Sequence, residues 1–342
     1  MRTKLGKEAL TRPFLLLASA LAAVALVAGC SSGPAPAGSV AAAKLAVRVA
    51  TLKGPTGVGM VHLMQAQTDG TAADDYSFTV SDSPDEVVAK IASGDVDVAA
   101  VPTNLAAVLY AKTSGAVQLL AVNTLGVLYI VENGNTVHSV ADLKGKTIYA
   151  SGQGSNPEYV LRFLLQRNGL DPDRDVHIVF KGEHDEVATL VANGTAKVAL
   201  LPEPYVTTVT MKNPKVRVAL DLTAQWGKVV TDGSQLMMGA VIARKDFVEK
   251  NPAAVGAFLR EYQASIDQAT SDVAGTATLC QQFGIIPSAA VAAKAIPRLN
   301  LTYLAGEEMR TGIQGYFQVL YDANPKSLGG ALPDAGFYYS AT

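Results

Sequence analysis

The chain has 342 residues, of which 49% are hydrophobic and 17% charged, and 28 basic against 30 acidic side chains leave a net charge of −2. This composition is typical of a folded globular protein and excludes a disordered chain. A charge near zero without a basic cluster gives no attraction for nucleic acid, so we expect no nucleic-acid partner. The two cysteines and four scattered histidines lack the spacing of a disulfide framework or a metal site, and we expect neither a metal nor a cofactor.

The first 43 residues are predicted to be a targeting signal and a tether, and they are left out of the fold. A basic start precedes an apolar run over 14–27, which is shorter than the roughly 20 residues of a membrane-spanning helix. The run ends in Val27-Ala28-Gly29-Cys30, which resembles a bacterial lipoprotein signal. We therefore predict a signal peptide over 1–29, lipidation of Cys30 and a flexible tether over 30–43, with the mature protein anchored outside the cell membrane. An ordinary cleaved signal with an incidental cysteine is the alternative.

Two segments, 85–102 and 185–202, align without gaps at an offset of 100 residues. Each follows a β-rich run, 76–80 or 176–180, and each contains an apolar helical face, a glycine stop and a buried strand. Strand, helix and strand within about 25 residues predict a βαβ unit with a parallel sheet. Ser83 stands at the start of the first helix, where a capping box is predicted.

Each copy also has an upstream strand, 45–52 or 146–150, that runs into a glycine-rich loop and a helix. The unit β-loop-α-β-α-β therefore occurs twice, which predicts an α/β fold of two similar lobes with a cleft between them. Ligands of open parallel sheets bind beyond the C-terminal ends of the strands. The predicted lining loops are 53–59, 101–104, 151–157 and 201–205.

Polar and small residues of these loops, with one residue of the first crossover between lobes, are the predicted ligand-binding residues: Thr56, Gly57, Thr103, Asn104, Thr124, Ser151, Ser155, Asn156, Glu203 and Tyr205. Asn104 and Asn156 have an alternative role as helix caps, and Gly57 has an alternative role in the turn alone. Glu203 follows an apolar strand, and a partly desolvated carboxylate there favours a cationic or amino-bearing ligand group. A surface or hinge salt bridge is its alternative role. Tyr205 and Trp226 are candidates for stacking on a flat ligand, with a place in the core as the alternative.

The four loops contain no arginine, which disfavours a doubly charged anion because a bidentate arginine is its usual clamp. Helix N-termini remain for a single negative charge, and Glu203 remains for an amine. A zwitterion such as taurine, or an aminopyrimidine, would satisfy both.

Several motifs resemble those of a known family: the Cys30 lipobox, Lys53-Gly-Pro-Thr-Gly57, Gly94-Asp-Val-Asp-Val-Ala99, Ala141-Asp-Leu-Lys-Gly-Lys146, Pro202-Glu-Pro204 and Ala243-Arg-Lys-Asp-Phe247. Over 45–342 the chain resembles the nitrate/sulfonate/taurine group of periplasmic-type substrate-binding proteins, part of a wider family that includes binders of thiamine-pyrimidine precursors. The resemblance implies a type II periplasmic binding protein fold that closes about a hinge on one small molecule. It also implies a monomer that works with a membrane permease and a cytoplasmic ATPase.

The same resemblance gives the crossovers between lobes at 123–126 and 233–239. Lobe one is then predicted to comprise 44–124 plus 237–342, and lobe two 125–236. The expected function is delivery to an ABC importer of a small organic molecule, either a sulfonate- or taurine-like zwitterion or an amino-heterocycle such as a thiamine pyrimidine precursor.

Two other functions are alternatives to transport. A pyrimidine- or cofactor-synthesising enzyme would need a cluster of nucleophile and base, or of metal ligands. His62 lies near a predicted site loop without such partners, so no enzyme is expected. A ligand-sensing protein that reports to a membrane signalling partner is the second alternative.

Overall fold

The structure is a computed structural model that describes residues 44–340. The predicted signal peptide, the lipidation site at Cys30 and the tether lie outside the described residues. The strands are β1 Ala46–Leu52, β2 Asp75–Ser81, β3 Val98–Pro102, β4 Val117–Leu125, β5 Leu128–Asn133, β6 Thr147–Ser151, β7 His177–Lys181, β8 Val198–Pro202, β9 Val216–Asp221, β10 Met237–Arg244 and β11 Leu301–Ala305.

Helices connect most of these strands, and a helical region follows β10. The helices are α1 Pro55–Val58, α2 Val61–Thr68, α3 Pro84–Ser93, α4 Thr103–Lys112, α5 Asn156–Arg167, α6 His184–Ala192, α7 Tyr205–Lys212, α8 Leu222–Val229, α9 Lys245–Lys250, α10 Pro252–Ser271, α11 Val273–Gln282, α12 Ala289–Ala295 and α13 Gly306–Ala323. Within residues 44–340, no helix is both long enough and apolar enough to span a lipid bilayer.

The strands form two mixed sheets with the same internal order. The first sheet runs β11-β4-β10-β3-β1-β2, and the second runs β7-β6-β8-β5-β9. In the first, β1 pairs in parallel with β2 and β3, while β10 lies antiparallel between β3 and β4. In the second, β6 pairs in parallel with β7 and β8, while β5 lies antiparallel between β8 and β9. The predicted α/β fold with two repeated βαβ units is therefore confirmed.

The ends of the repeated helices follow partly from their sequences. Gly94 and Gly194 stand just beyond α3 and α6 with φ of 84° and 82°, the left-handed conformation that glycine adopts without steric cost. The capping box predicted at Ser83 is wrong, because the Ser83 side chain caps no backbone N–H. The Glu86 carboxylate instead accepts a hydrogen bond from the hydroxyl of Ser81, at the end of β2.

Buried apolar strands form the centre of each sheet. The stretch Ala240 to Ala243 of β10 has no exposed surface, because helices cover both faces of the first sheet. Trp226 of α8 packs between Phe163 and Tyr316, with ring centroids 4.9 Å and 5.5 Å away. Its indole N–H donates to the carbonyl of Ser234 at 3.0 Å. Trp226 therefore belongs to the core, where aromatic pairs add about 0.5–1.5 kcal/mol each beyond the area they bury.

The end of the described chain packs against the first sheet. The backbone N–H of Tyr339 donates to the carbonyl of Leu119 in β4 at 3.0 Å. Phe337 is fully buried against Tyr110 of α4, with ring centroids 5.1 Å apart. This tail thus extends the edge of the first sheet beside β4.

Candidate functional site

A cavity of about 100 Å³ lies where the C-terminal ends of the two sets of parallel strands meet. Strands β1, β2 and β3 contribute Leu52, Asp82 and Pro102 at or just beyond their ends. Strands β6, β7 and β8 contribute Ser151, Gly182 and Pro202 at the equivalent positions.

Six of the predicted ligand-binding residues line this cavity: Thr56, Thr124, Ser151, Ser155, Asn156 and Tyr205. The other four, Gly57, Thr103, Asn104 and Glu203, lie behind its walls. A Cβ on Gly57 would stand 2.2 Å from the carbonyl oxygen of Leu52, so this glycine serves the tight turn after β1.

Two hydroxyls on the cavity wall lack hydrogen-bond partners among the described residues. Thr56 is 8% exposed and Ser155 is 4% exposed, and neither side chain has a hydrogen bond in residues 44–340. Thr56 follows β1 of the first sheet, and Ser155 precedes α5 beside the second sheet. The hydroxyl oxygens of these two mostly buried residues remain accessible from the cavity, so both can form a hydrogen bond with a bound molecule.

Each sheet with the helices packed on it forms one half of the protein, and Asn156 connects these two halves instead of capping α5. Its Nδ2 donates to Thr103 Oγ1 at 2.9 Å and to the Met238 carbonyl at 2.8 Å. Its Oδ1 accepts from the Tyr316 hydroxyl at 3.1 Å. Its alternative role as an N-cap is therefore wrong, since Ser155 holds the N-cap position. The start of α5 is held against α4 and β10 of the first sheet.

Asn104 is a second bridge, and its alternative role as a helix cap is also wrong. Helix α4 begins at Thr103, with Pro102 as its N-cap residue. The Asn104 Nδ2 donates to the carbonyls of Gly154 and Ser327, both at 3.2 Å. The Thr103 hydroxyl donates to the Met237 carbonyl at 2.5 Å. Both side chains therefore stabilise the approach of the two halves, one layer behind the cavity.

A family model of ABC transporter, phosphonate, periplasmic substrate-binding proteins matches residues 103–277, which is more than half of the chain. The chain belongs to this family. As the substrate-binding component of an ABC importer, the protein binds a small ligand and works with a permease and an ATPase. The expected absence of enzymatic activity is confirmed, because the family consists of binding proteins and not of enzymes. The family is periplasmic or extracytoplasmic, as predicted.

Solved structures share the fold of this binding protein. An ABC transporter protein from Parabacteroides distasonis is 25% identical, with 87% of this chain and 99% of that chain covered and a TM-score of 0.72. The periplasmic aliphatic sulphonate binding protein of Escherichia coli is 18% identical, covering 87% and 92%, with a TM-score of 0.68. The periplasmic nitrate-binding protein of Synechocystis PCC 6803 is 12% identical, covering 78% and 74%, with a TM-score of 0.57. No curated protein matches the chain.

Glu203 of the binding protein forms an ion pair and does not reach the cavity. Its side chain is fully buried, and its Oε1 lies 2.5 Å from Nη2 of Arg298, in the turn after α12. Its Oε2 accepts from the backbone N–H of Thr207 at 3.0 Å. The same arginine donates to the Thr207 hydroxyl at 2.6 Å. The salt bridge that the sequence left as an alternative is therefore present.

Four titratable side chains also line the cavity: one belongs to the predicted loop 53–59, and the other three follow β2 and β7, whose loops were not predicted to line it. Lys53, Asp82, Glu183 and His184 line the wall. Lys53 Nζ lies 2.8 Å from an Asp82 carboxylate oxygen. Burial raises the pKa of the Glu183 carboxyl, with smaller contributions in the same direction from Asp82 and from Asp185, while Lys53 opposes them.

His184 is held neutral at this wall. Burial lowers its pKa to about 4, and its Nδ1 shares a 2.5 Å hydrogen bond with the Ser151 hydroxyl. The Tyr205 ring packs beside it, with centroids 5.1 Å apart. A neutral imidazole beside a hydroxyl offers hydrogen bonds to a ligand without adding positive charge.

The repeat itself contains the signal for these residues. The predicted loops followed the first and third strands of each repeat, but the same rule applies to the second strand. At the 100-residue offset, the segment 81–84 corresponds to 181–184, and the two contribute Asp82 in one copy and Glu183 in the other. Among residues 44–340, no group of three or more His, Cys, Asp or Glu is placed to hold a metal ion.

Proposed function

We propose that this binding protein delivers a small amine-bearing organic solute to its importer, either a taurine-like zwitterion or an amino-heterocycle such as a thiamine pyrimidine precursor. The observation that carries the proposal is the charge of the cavity wall. Two carboxylates, Asp82 and Glu183, lie on it, and no arginine does among the residues that the structure describes. Carboxylates attract an ammonium or amino group and repel a simple anion.

The amine is assigned to Asp82 and Glu183 instead of Glu203. The Glu203 carboxylate is occupied by Arg298 and Thr207 behind the wall. Asp82 and Glu183 follow the second strand of each repeat and lie on the wall itself. A ligand amine between them would be attracted from both halves of the protein.

An acidic or acceptor group of the solute is assigned to the start of α5. The hydroxyls of Thr56 and Ser155 can donate to it, and a 12-residue helix presents a partial positive charge at its N-terminus. This arrangement suits a single negative charge. The family is named for phosphonate, whose dianion is usually bound by a bidentate arginine. The sulphonate and nitrate named for the structural relatives carry only one negative charge each.

Matched ligand pairs test the proposal on the protein from residue 44 onward. Taurine and isethionate differ only in an ammonium or a hydroxyl group, and 4-aminopyrimidine differs from pyrimidine only in the amino group. We expect an amine-bearing compound to raise Tm by mass action and its partner to bind at least about tenfold more weakly by calorimetry. Nitrate, ethanesulfonate or methylphosphonate binding as tightly as every amine would refute the amine assignment and leave the importer role intact.

We further propose that Cys30 carries the lipid that anchors the protein to the outer face of the cell membrane. We also propose that the protein acts as a monomer. The lipid anchor is supported by the order of the sequence, in which small residues precede Cys30 and a polar tether follows it. Two or more acyl chains are sufficient for stable anchoring. In a bacterial host, the wild type should fractionate with membranes and incorporate labelled fatty acid, whereas Cys30→Ser should do neither. Light scattering at a dimer mass would contradict the monomer.

A further inference from the structure

Lys53 forms an ion pair that lies directly on the cavity wall. Leu52 of β1 pairs with Ser81 of β2, so the next residues, Lys53 and Asp82, leave the sheet side by side. The Lys53 Nζ lies 2.8 Å and 2.9 Å from the two carboxylate oxygens of Asp82. The side chains are 34% and 51% exposed, so the pair is in contact with water and its partners can be exchanged.

Glu183 faces the same space from the other half of the protein. It lines the cavity together with Lys53 and Asp82, and it feels the charges of both. Asp85 and Asp185 stand close enough to add further negative charge. Lys53 is the only cationic side chain on the wall within residues 44–340, and it therefore compensates an excess of carboxylates.

The hydroxyls of Thr56 and Ser155 are further hydrogen-bonding groups on the same cavity wall. Both residues are more than nine-tenths buried, but their hydroxyl oxygens are accessible from the cavity and have no hydrogen-bond partner in the described part of the chain. One comes from each half of the protein. A bound solute would supply the hydrogen-bonding groups that these side chains lack.

We infer that Lys53 is a built-in counter-ion that occupies the place of the ligand's ammonium group, so that an amine-bearing solute must compete with Lys53 for Asp82. This inference rests on the proposed function, that the solute carries an amine. Lys53 then sets selectivity by two effects. It holds the Asp82 carboxylate in place before the ligand arrives. It also weakens the binding of every cationic ligand, because the ligand must first displace Lys53 from Asp82.

The opposite role for Lys53, direct attraction of the solute's negative group, makes a different prediction for Lys53→Met. If Lys53 is the counter-ion, its removal frees Asp82, and taurine should bind about two- to fivefold more tightly, the value of a partly exposed ion pair. Isethionate, which lacks the amine, should bind no more tightly than before. If Lys53 holds the negative group, both compounds should bind more weakly.

Lys90→Met is the matched control. Lys90 is 33% exposed, pairs with Glu86 at 3.7 Å in the same half of the protein, and does not line the cavity. The Lys90→Met variant loses the same positive charge as Lys53→Met, so it shows the effect of net charge alone. Its ratio of taurine affinity to isethionate affinity should stay within about twofold of the wild-type ratio.

Calorimetry of wild type, Lys53→Met and Lys90→Met with both compounds decides between the outcomes, with 4-aminopyrimidine and pyrimidine as the second pair. A larger amine preference in Lys53→Met alone supports the inference. Weaker or unchanged amine binding in Lys53→Met, with wild type binding the amine, overturns the inference and leaves the proposed function standing. If wild type binds neither taurine nor 4-aminopyrimidine in preference to its partner, the proposed amine function fails, and the inference fails with it.

Discussion

The pair of Arg298 and Glu203 offers the sharpest test of how the structure assigns charge. Glu203 is fully buried, whereas Arg298 is about half exposed. The Arg298→Met variant would leave a buried carboxylate with one remaining hydrogen bond, from the backbone N–H of Thr207. Breaking a buried pair in this way costs about 3–5 kcal/mol. Because water can reach the arginine's position, we expect the lower end, about 3 kcal/mol.

This loss is a large part of the 5–15 kcal/mol by which folded proteins are usually stable. For a domain of about 300 residues it corresponds to a fall in Tm of about 5 °C. Urea unfolding followed by circular dichroism gives the free energy of unfolding directly. A value for Arg298→Met within about 1 kcal/mol of wild type would refute the reasoning.

Replacing the other partner of the ion pair, Glu203, is the control, because Glu203 is fully buried and Arg298 is about half exposed. Glu203→Gln keeps an acceptor for Thr207 and leaves only a half-exposed arginine unpaired, so we expect a loss of about 1 kcal/mol. The double variant removes the uncompensated charge and should be more stable than Arg298→Met by about 2 kcal/mol. Glu203→Gln should also leave taurine affinity unchanged within about twofold, whereas a tenfold loss would return Glu203 to the ligand.

Two further predictions concern the stability of the fold. A Cβ on Gly239 would stand 2.3 Å from Asn123 Oδ1 and 2.6 Å from Thr56 Cγ2. Gly239→Ala should therefore lower the free energy of unfolding in urea by about 1–3 kcal/mol. Exposed Gly227 in α8 has open space around it, so Gly227→Ala should raise the free energy of unfolding by up to about 1 kcal/mol. Burial raises the pKa of Glu132, but hydrogen bonds from neighbours, among them Arg217, outweigh it and lower the pKa overall. Its stabilising contribution is therefore present above about pH 4.5 and is lost as pH falls through the lowered value. Urea titrations from pH 6 to 2 should show a shallower acid loss in Glu132→Gln, and an equal slope would contradict this.

The repeat allowed the fold to be predicted because its signals are local. Glycine stops, apolar strands and their 100-residue spacing define the order of elements, and parallel pairing follows from strand-helix-strand connections. The rule that ligands lie beyond strand ends points to the loops of Thr56 and Ser151, and both residues line the cavity. The charged wall was missed because the rule was applied to two strands of each repeat and not to the strands that precede Asp82 and Glu183.

Other parts of the site depend on contacts between distant segments, which no local pattern shows. Asn104 meets Ser327, more than 200 residues later in the chain, and Glu203 meets Arg298. A polar residue directly after a strand can face the ligand or the layer behind it, and the packing of the C-terminal helices decides between these positions. Sequence reasoning could therefore name the alternatives for Glu203 but could not choose between them.

The free hydroxyl of Ser155 shows how a local rule can be set aside by a neighbouring residue. An N-cap side chain normally accepts a hydrogen bond from the second or third backbone N–H of its helix. Here the second residue is Pro157, which has no N–H, and the N–H of Glu158 donates to the Ser155 carbonyl at 3.1 Å. Because Asn156 is directed to Thr103 and Met238, the start of α5 is held in place without the Ser155 hydroxyl. The sequence Ser-Asn-Pro thus anchors the helix and leaves the Ser155 hydroxyl on the cavity wall without a hydrogen-bond partner in the described residues.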